Sequence, residues 1–396
     1  MTGQEIRTSA SLASIFALRM LGLFLILPVF AVHARSIPGG DSPAFIGLAL
    51  GIYGLTQGIL QIPFGAASDR WGRKPVIVAG LLLFALGSFI AAFAHDIYWT
   101  IIGRSVQGAG AISAAVTAFI ADATREEHRT KAMAMVGASI GLTFALSLVG
   151  APPLYAAVGM EGLFGLTGVL ALVAIGVVLW VVPRAPARIQ HDDPASAASV
   201  ALDPQLLRLN FGIFALHAVQ MAMFVVVPVL LVERAQLPLP NHWWVYLPVV
   251  VVSFALMMPP IMAAERKSRM RVLFLGAVGL LLVVQLGLLA HSPSLGWIAG
   301  WLLLFFVGFN ILEASLPSLV SRVAPSSAKG LALGIYNTTQ AVGLFAGGAL
   351  GGLVAARWGS QGVFACAAAI MAVWWVIALG MREVPRKRSS GQPVPV

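Results

Sequence analysis

The stretch Gly65-Ala66-Ala67-Ser68-Asp69-Arg70-Trp71-Gly72-Arg73-Lys74 decides the fold. It lies between two apolar runs, about 44–67 and 75–94. A turn this short and this charged, between runs that long, belongs at a membrane surface. Gly65 and Gly72 permit a tight backbone and close helix approach. Asp69 closes one helix, and Arg70, Arg73 and Lys74 open the next.

Outward from this turn, apolar runs of the length that crosses a bilayer core as a helix recur along the chain. Twelve are predicted: about 10–32, 44–67, 75–94, 97–121, 131–157, 161–182, 207–232, 243–264, 271–290, 295–320, 329–355 and 360–381. Barrel strands would instead alternate over about ten residues. The expected class is an all-α membrane protein. Composition agrees: charged residues make up 10% and mean hydropathy is +0.90, against about 25% charge in a soluble domain. The first run is too long for a cleavable signal, and no small-x-small site follows it. Cys366 is the single cysteine, which excludes an intrachain disulfide and a Cys-based metal site.

A net charge of +10 could suggest nucleic acid, but its distribution points to topology. With the loops numbered alternately from a cytoplasmic N-terminus, one side holds Arg7; Arg70, Arg73 and Lys74; Arg125, Arg129 and Lys131; Arg184, Arg188 and Arg208; Arg266, Lys267, Arg269 and Arg271; Arg322 and Lys329; and Arg382, Arg386, Lys387 and Arg388. That is 20 of the 25 Lys and Arg. Arg35, Arg234 and Arg357 fall on the other side, and Arg19 and Arg104 within helices. The positive-inside rule then puts both termini of a multi-pass protein in the cytoplasm; the expected location is a bacterial-type inner membrane. The basic tail Arg382–Arg388 suits anionic lipid head groups. No nucleic-acid partner is expected, and the protein is expected to be a monomer.

The chain repeats itself. Ile261-Met262-Ala263-Ala264-Glu265-Arg266-Lys267-Ser268-Arg269-Met270 aligns without gaps on the first loop, with Asp69 on Glu265 at an offset of 196. Lys131-Ala132-Met133 and Lys329-Gly330-Leu331 each start a helix, at an offset of 198. Two parallel six-helix units are expected, 1–182 and 207–396, joined by a polar cytoplasmic linker over 183–206. Such repeats carry their substrate site at the midplane between them.

The Gly-x-x-x-Asp-Arg-x-Gly-Arg-Lys pattern resembles the signature loop of the major facilitator superfamily, and the match is complete. Arg104-Ser105-Val106-Gln107-Gly108-Ala109-Gly110-Ala111 is similar to its second motif, an intramembrane Arg before Gln-Gly-x-Gly. Phe16-Ala17-Leu18-Arg19-Met20-Leu21-Gly22, Gly51-Ile52-Tyr53-Gly54-Leu55-Thr56-Gln57 and Arg125-Glu126-Glu127-His128-Arg129-Thr130-Lys131-Ala132-Met133 resemble the YajR branch of bacterial transporters, grouped with drug:proton antiporters. Some members of that branch add a small C-terminal soluble domain. About fifteen residues follow the last predicted helix here, so that domain is expected to be absent. The antiporter motif of the fifth helix departs from the family pattern. Gly137, Gly141 and Gly150 are present, but the family's Gly-Pro end reads Ala151-Pro152-Pro153.

Ionisable groups inside membrane helices are the leading functional candidates, because each is expensive to place there. Glu313 is the only carboxylate well inside an apolar run. It is the expected proton carrier, against a structural ion pair or hydrogen-bonded acid. His217 titrates near physiological pH when unperturbed, although a lone helical His is more often packed and satisfied. Arg19 either binds an anionic substrate or holds Glu313 as a counter-ion. The resemblance implies that Asp69, Arg73 and Asp122, with Gly65, Arg70 and Gly72, form a conformational latch on the cytoplasmic side, facing the start of the eleventh helix near Lys329-Gly330. The bland alternative is a set of topology-fixing cations. Arg104, Gln107 and Gly108 form the intramembrane motif. Tyr53, Gln57, Gln220, Asn310, Asn337 and Gln340 are candidates to line the cavity. Gly343, Gly347 and Gly351, and likewise Gly137 and Gly141, have small-xxx-small spacing for close helix approach.

No phosphate-binding Gly-x4-Gly-Lys-Ser/Thr loop occurs, and no His/Asp/Glu cluster has metal-ligand spacing, so neither a cofactor nor a metal is expected. The expected function is proton-coupled efflux of small amphiphilic compounds by alternating access. The alternatives are a sugar or organic-acid facilitator or proton symporter and, remotely, a membrane-embedded enzyme acting on lipid.

Overall fold

The computed structural model describes residues 1–183, 200–290, 294–325 and 328–383. Most of the expected linker, with Arg184 and Arg188, and the tail cations Arg386, Lys387 and Arg388 lie outside the described residues. The described residues fold into helices: α1 (Gly3–Phe24), α2 (Leu27–His33), α3 (Pro43–Trp71), α4 (Arg73–Ala92), α5 (Ile97–Ala109), α6 (Ser113–Ala123), α7 (Glu126–Gly176), α8 (Pro204–Glu233), α9 (Trp243–Arg266), α10 (Met270–Leu289), α11 (Leu295–Val323) and α12 (Lys329–Leu379). These make ten segments long and apolar enough to cross a membrane, against the twelve runs expected. The difference lies in α7 and α12, each 51 residues long. Each contains one residue off the helical conformation, Gly159 at φ 67° and Gly359 at φ 62°.

Local chemistry sets the boundaries. Thr2 and Glu5 form a reciprocal capping box on α1, which satisfies two otherwise orphaned donors. Asp96, Asp203 and Ser294 cap α5, α8 and α11 by accepting from backbone N–H groups. Between α3 and α4 the whole turn is Gly72, at φ 93°. A residue with a Cβ is strained there, so the second glycine of the signature loop is a backbone requirement.

The fourth apolar run is broken. α5 ends at Ala109 and α6 starts at Ser113, with no side chain capping the start of α6. At the break, a Cβ on Gly110 would lie 2.3 Å from the Gly80 carbonyl oxygen. The corresponding run in the second half, α11, is continuous over 29 residues.

α3, from the first part of the chain, and α12, from the second, meet on a seam of small residues. A Cβ on Gly47 would sit 2.1 Å from the Gly348 carbonyl oxygen, and one on Gly352 would sit 2.5 Å from that of Pro43. Gly51 and Gly54 meet Phe345 and Ala341 in the same way. The other small face of α12, Gly343, Gly347 and Gly351, lies on Phe214, Ala218 and Ala222 of α8. The expected close packing through Gly137 and Gly141 is not found. Nothing lies within 4 Å of a Cβ built on either, nor on Gly330 or Gly334. The seam therefore closes toward residues 43–54 of α3, while these four glycines, toward the other end, border open space.

Candidate functional site

Two polar clusters occupy the interior, one in each half. In the first half, Arg19 of α1 is 1% exposed. Its Nη1 donates to Ser113 Oγ at 3.0 Å and its Nη2 to Gln57 Oε1 at 3.0 Å. Arg104 of α5 is equally buried and donates to Gln107 Oε1 at 2.6 Å; Gln107 Nε2 in turn donates to Ser88 Oγ at 2.8 Å. Tyr53 stands between the two cations, its ring centroid 5.6 Å from the Arg19 guanidinium and 4.9 Å from that of Arg104. Such cation–π contacts hold both cations against one ring. Gly108 permits this packing, since a Cβ there would lie 2.3 Å from the Tyr53 carbonyl oxygen.

The second half carries His217 of α8, Glu313 of α11 and Gln340 of α12. His217 Nδ1 lies 3.2 Å from the Ile213 carbonyl oxygen, so Nδ1 carries the hydrogen and donates. Nε2 then accepts from Gln340 Nε2 at 2.8 Å. Glu313 Oε2 lies 3.8 Å from the same Nε2, within ion-pair range but beyond a hydrogen bond. Oε2 is buried with no hydrogen-bond partner, while the Glu313 side chain as a whole keeps 32% exposure. One carboxylate oxygen thus faces the imidazole and the rest of the group reaches toward open space.

The Arg19–Glu313 counter-ion pair expected above is therefore not formed. Arg19 bonds to neutral groups within its own half, and Glu313 lies beside His217. The reason is reach: Ser113 and Gln57 occupy the Arg19 guanidinium on its own side of the interface.

The other candidates are more dispersed. Gln220 borders a small apolar pocket with Tyr246, Phe224 and Phe306. Asn310 Nδ2 donates to Ser253 Oγ at 3.1 Å, and Asn337 is half-buried. Between the clusters runs a ladder of rings that sequence reading missed. Phe144 of α7 contacts Phe24 at 5.0 Å, Phe306 at 5.8 Å, Phe309 at 6.1 Å and Phe224 at 6.5 Å between centroids, and Phe309 meets His217 at 5.8 Å.

At one end of the first half, Arg73 joins Asp69 to Asp122, with Nη1 to Asp69 Oδ1 at 2.6 Å and Nε to Asp122 Oδ2 at 2.8 Å. Its side chain is 8% exposed. Arg73 also donates to Ser68 Oγ at 2.7 Å. Gly65 faces Ala114, and Arg70 is exposed. Lys74 donates to the Val182 carbonyl oxygen, and Arg125 donates to Glu5 through its backbone and guanidinium. Two further pairs escaped the sequence reading. Arg35 and Glu233 form an ion pair between the halves, and Arg322 lies 3.9 Å from Glu265. A repeat signal could have found the first, because Arg35 and Glu233 stand 198 residues apart, the repeat offset itself.

A family model described as Major Facilitator Superfamily matches residues 12–348 and again 311–394. The inner membrane transport protein YajR of Escherichia coli (strain K12) is 43% identical over 389 residues, covering 97% of this chain and 85% of that protein. The multidrug resistance protein MdtH of Aeromonas hydrophila is 25% identical over 341 residues, covering 84% of each. A bacterial homolog of the human lysosomal transporter Spinster, solved in an inward-facing and occupied conformation, superposes with a TM-score of 0.76 at 11% identity, covering 96% of this chain and 97% of that one. With its helical architecture, signature loop and buried polar clusters, this chain belongs to the major facilitator superfamily and is a multi-pass membrane transporter rather than an enzyme.

Proposed function

We propose that the protein is a proton-coupled secondary transporter that exports small amphiphilic compounds by alternating access. The observation that carries this is the His217–Glu313–Gln340 cluster. Neutral His217 accepts from Gln340 through the same Nε2 that faces Glu313. A proton placed on Nε2 turns it from acceptor to donor. The Gln340 contact is then lost, and Glu313 becomes the favoured partner. Gln340 belongs to α12, the helix that forms the seam with α3. Proton binding would thus act directly on a helix that joins the halves. The efflux direction draws on the multidrug name of MdtH and the drug:proton antiporter branch resembled above.

Twelve crossings in two six-helix halves, 1–182 and 207–396 with a cytoplasmic linker over 183–206, complete the proposal. A 51-residue helix would be about 77 Å long at 1.5 Å per residue, against a hydrocarbon core of about 30 Å. Contacts support a fold-back at Gly159. Ser139 bonds the Ala13 carbonyl, Phe144 meets Phe24 and Tyr155 bonds His33, whereas Thr167 returns to Gly22 and Val182 to Lys74. Likewise Gly343 and Gly351 run along Phe214 to Ala222, and Trp374 then returns to Gly212. Both termini are assigned to the cytoplasm from the positive-inside distribution. The seam then lies on the outer side, which makes this an inward-open arrangement. Asp69, Arg73 and Asp122, with Gly65, Arg70 and Gly72, are assigned as the cytoplasmic latch that engages the start of α12 when the protein turns outward. Protons, a small-molecule substrate and membrane lipids are its partners, and it acts as a monomer.

The test is gradient-driven accumulation against substrate exchange in proteoliposomes, using dye substrates of multidrug exporters. Glu313→Gln should lose accumulation and keep exchange. Accumulation at the wild-type level would reject the carrier role.

A further inference from the structure

The basic group and the residue that faces it stand at matched positions in the two clusters. Arg19 and His217 are 198 residues apart, the repeat offset, and each also hydrogen-bonds a glutamine from an unmatched helix, Gln57 of α3 or Gln340 of α12. Ser113 and Glu313 stand 200 residues apart, as do the ends of their helices, Ala123 and Val323. Ser113 therefore faces Arg19 from the position at which Glu313 faces His217. The second half supplies a carboxylate to its basic group. The first half supplies a hydroxyl to a permanent cation.

This leaves buried charge without compensation. Neither Arg19 nor Arg104 forms an ion pair among the described residues; their partners are Ser113, Gln57, Gln107 and backbone carbonyls. Two donors of the cluster are buried with no hydrogen-bond partner among the described residues: Arg19 Nε and the Tyr53 hydroxyl. Both residues are at most 1% exposed. The same site receives the uncapped start of α6, which begins at Ser113 itself. A helix N-terminus carries partial positive charge and free N–H groups, and a discontinuous membrane helix can turn that end toward an anionic group. A water molecule could satisfy the orphan donors but could not balance the charge.

The geometry points to an anion subsite at Arg19, Tyr53 and Ser113 that takes the carboxylate of a lipophilic organic acid, making the cargo an amphiphilic monoanion. This rests on the transporter function proposed above and names its substrate class. The carboxylate fills the place that Glu313 fills in the other half. Arg19 is its direct partner, Ser113 and the first turn of α6 supply further donors, and Arg104 contributes charge through the shared Tyr53 ring.

The experiment uses the full-length protein in detergent micelles and isothermal titration with 2-naphthoate, its neutral isostere 2-naphthamide, and sodium chloride. The acid should bind at least about tenfold more tightly than the amide, which is about 1.4 kcal/mol. Arg19→Gln should reduce the acid to the amide's affinity. Because that variant could fail to fold, Ser113→Glu is the second arm. It supplies the missing carboxylate from the chain, so it should abolish preference for the acid and raise the unfolding temperature relative to Ser113→Gln. Equal affinity for acid and amide, or acid binding unchanged in Ser113→Glu, overturns the proposal. Chloride displacing the acid at equal concentration assigns the site to a resident inorganic anion and overturns the cargo assignment. If acid selectivity fails while Glu313→Gln still loses accumulation, the anion subsite falls and the coupling mechanism stands.

Discussion

The first half of the molecule holds its buried charge permanently, and the second half holds charge that can move. Arg19 and Arg104 stay cationic at any physiological pH, and their neighbours are amides, a hydroxyl and one phenol ring. His217 and Glu313 are both titratable, and their facing atoms stand 3.8 Å apart. On the two-unit repeat proposed above, side-chain differences at matched positions divide the labour. The difference teaches where to look for binding and where for coupling: a fixed cation suits an anion, and a titratable pair suits a proton.

The largest expected effect tests that division directly. Glu313→Gln should reduce gradient-driven accumulation to the level of protein-free vesicles, while Ser113→Ala, at the matched position, should leave driven accumulation measurable. If both variants lose accumulation and keep exchange alike, the halves are not specialised.

A second expectation compares the two seams. Gly47 and Gly51 of α3 meet Gly348 and Gly352 of α12, whereas the positions 196 residues after Gly47 and Gly51, the offset of the loop that ends this helix, are the bulky Trp243 and Leu247. Gly348→Val should overpack the glycine seam by about 1–3 kcal/mol and favour the state in which the seam parts. Spin-label distances between α3 and α12 should lengthen, and an unchanged distance distribution would count against a seam under load.

The third contrast lies at the charged turns. Arg73 is 8% exposed and joins two carboxylates at hydrogen-bond distance, while its charge-swapped counterpart, Arg322 with Glu265, is looser at 3.9 Å and more exposed. Arg73→Ala should lower stability by about 1–3 kcal/mol by removing its charge-assisted hydrogen bonds to Asp69 and Asp122. Arg322→Ala should lower it by less than about 1 kcal/mol. Thermal unfolding of both variants in the same detergent would resolve the order.

The smallest effect belongs to Arg35 and Glu233, where matched positions of the two halves touch each other. Both side chains are over 40% exposed, so the pair should contribute no more than about 1 kcal/mol. Arg35→Glu should slow transport modestly, and adding Glu233→Arg should restore it. Failure of the double exchange to recover would mean that position, not charge, matters there.

Sequence revealed the class and the loop because both are written in composition and short spacing. Asp69 and Arg73 are four residues apart, so their contact is local. Gly72 could be read as a turn because only glycine holds φ near 93° at little strain. The partners of Arg19 were not legible. A long flexible side chain reaches across more than one helix, and helical phase does not say which. The break before Ser113 was hidden as well, since Gly110-Ala111-Ile112 reads as an uninterrupted apolar run. The same offset of 198 that matches Lys131 to Lys329 also matches Arg19 to His217 and Arg35 to Glu233.

Phe144 touches one ring of its own half and three of the other, a bridge of hydrocarbon across the midline at the level of the two polar clusters. For the proton-driven carrier proposed above, such a layer would be electrical insulation. A wire of water from Glu313 to the far side would short-circuit the membrane whether or not cargo is aboard. Phe144→Ala is therefore expected to make empty vesicles leak protons, and cells that express it to grow as though lightly poisoned by an uncoupler; tight vesicles and normal growth would refute that role.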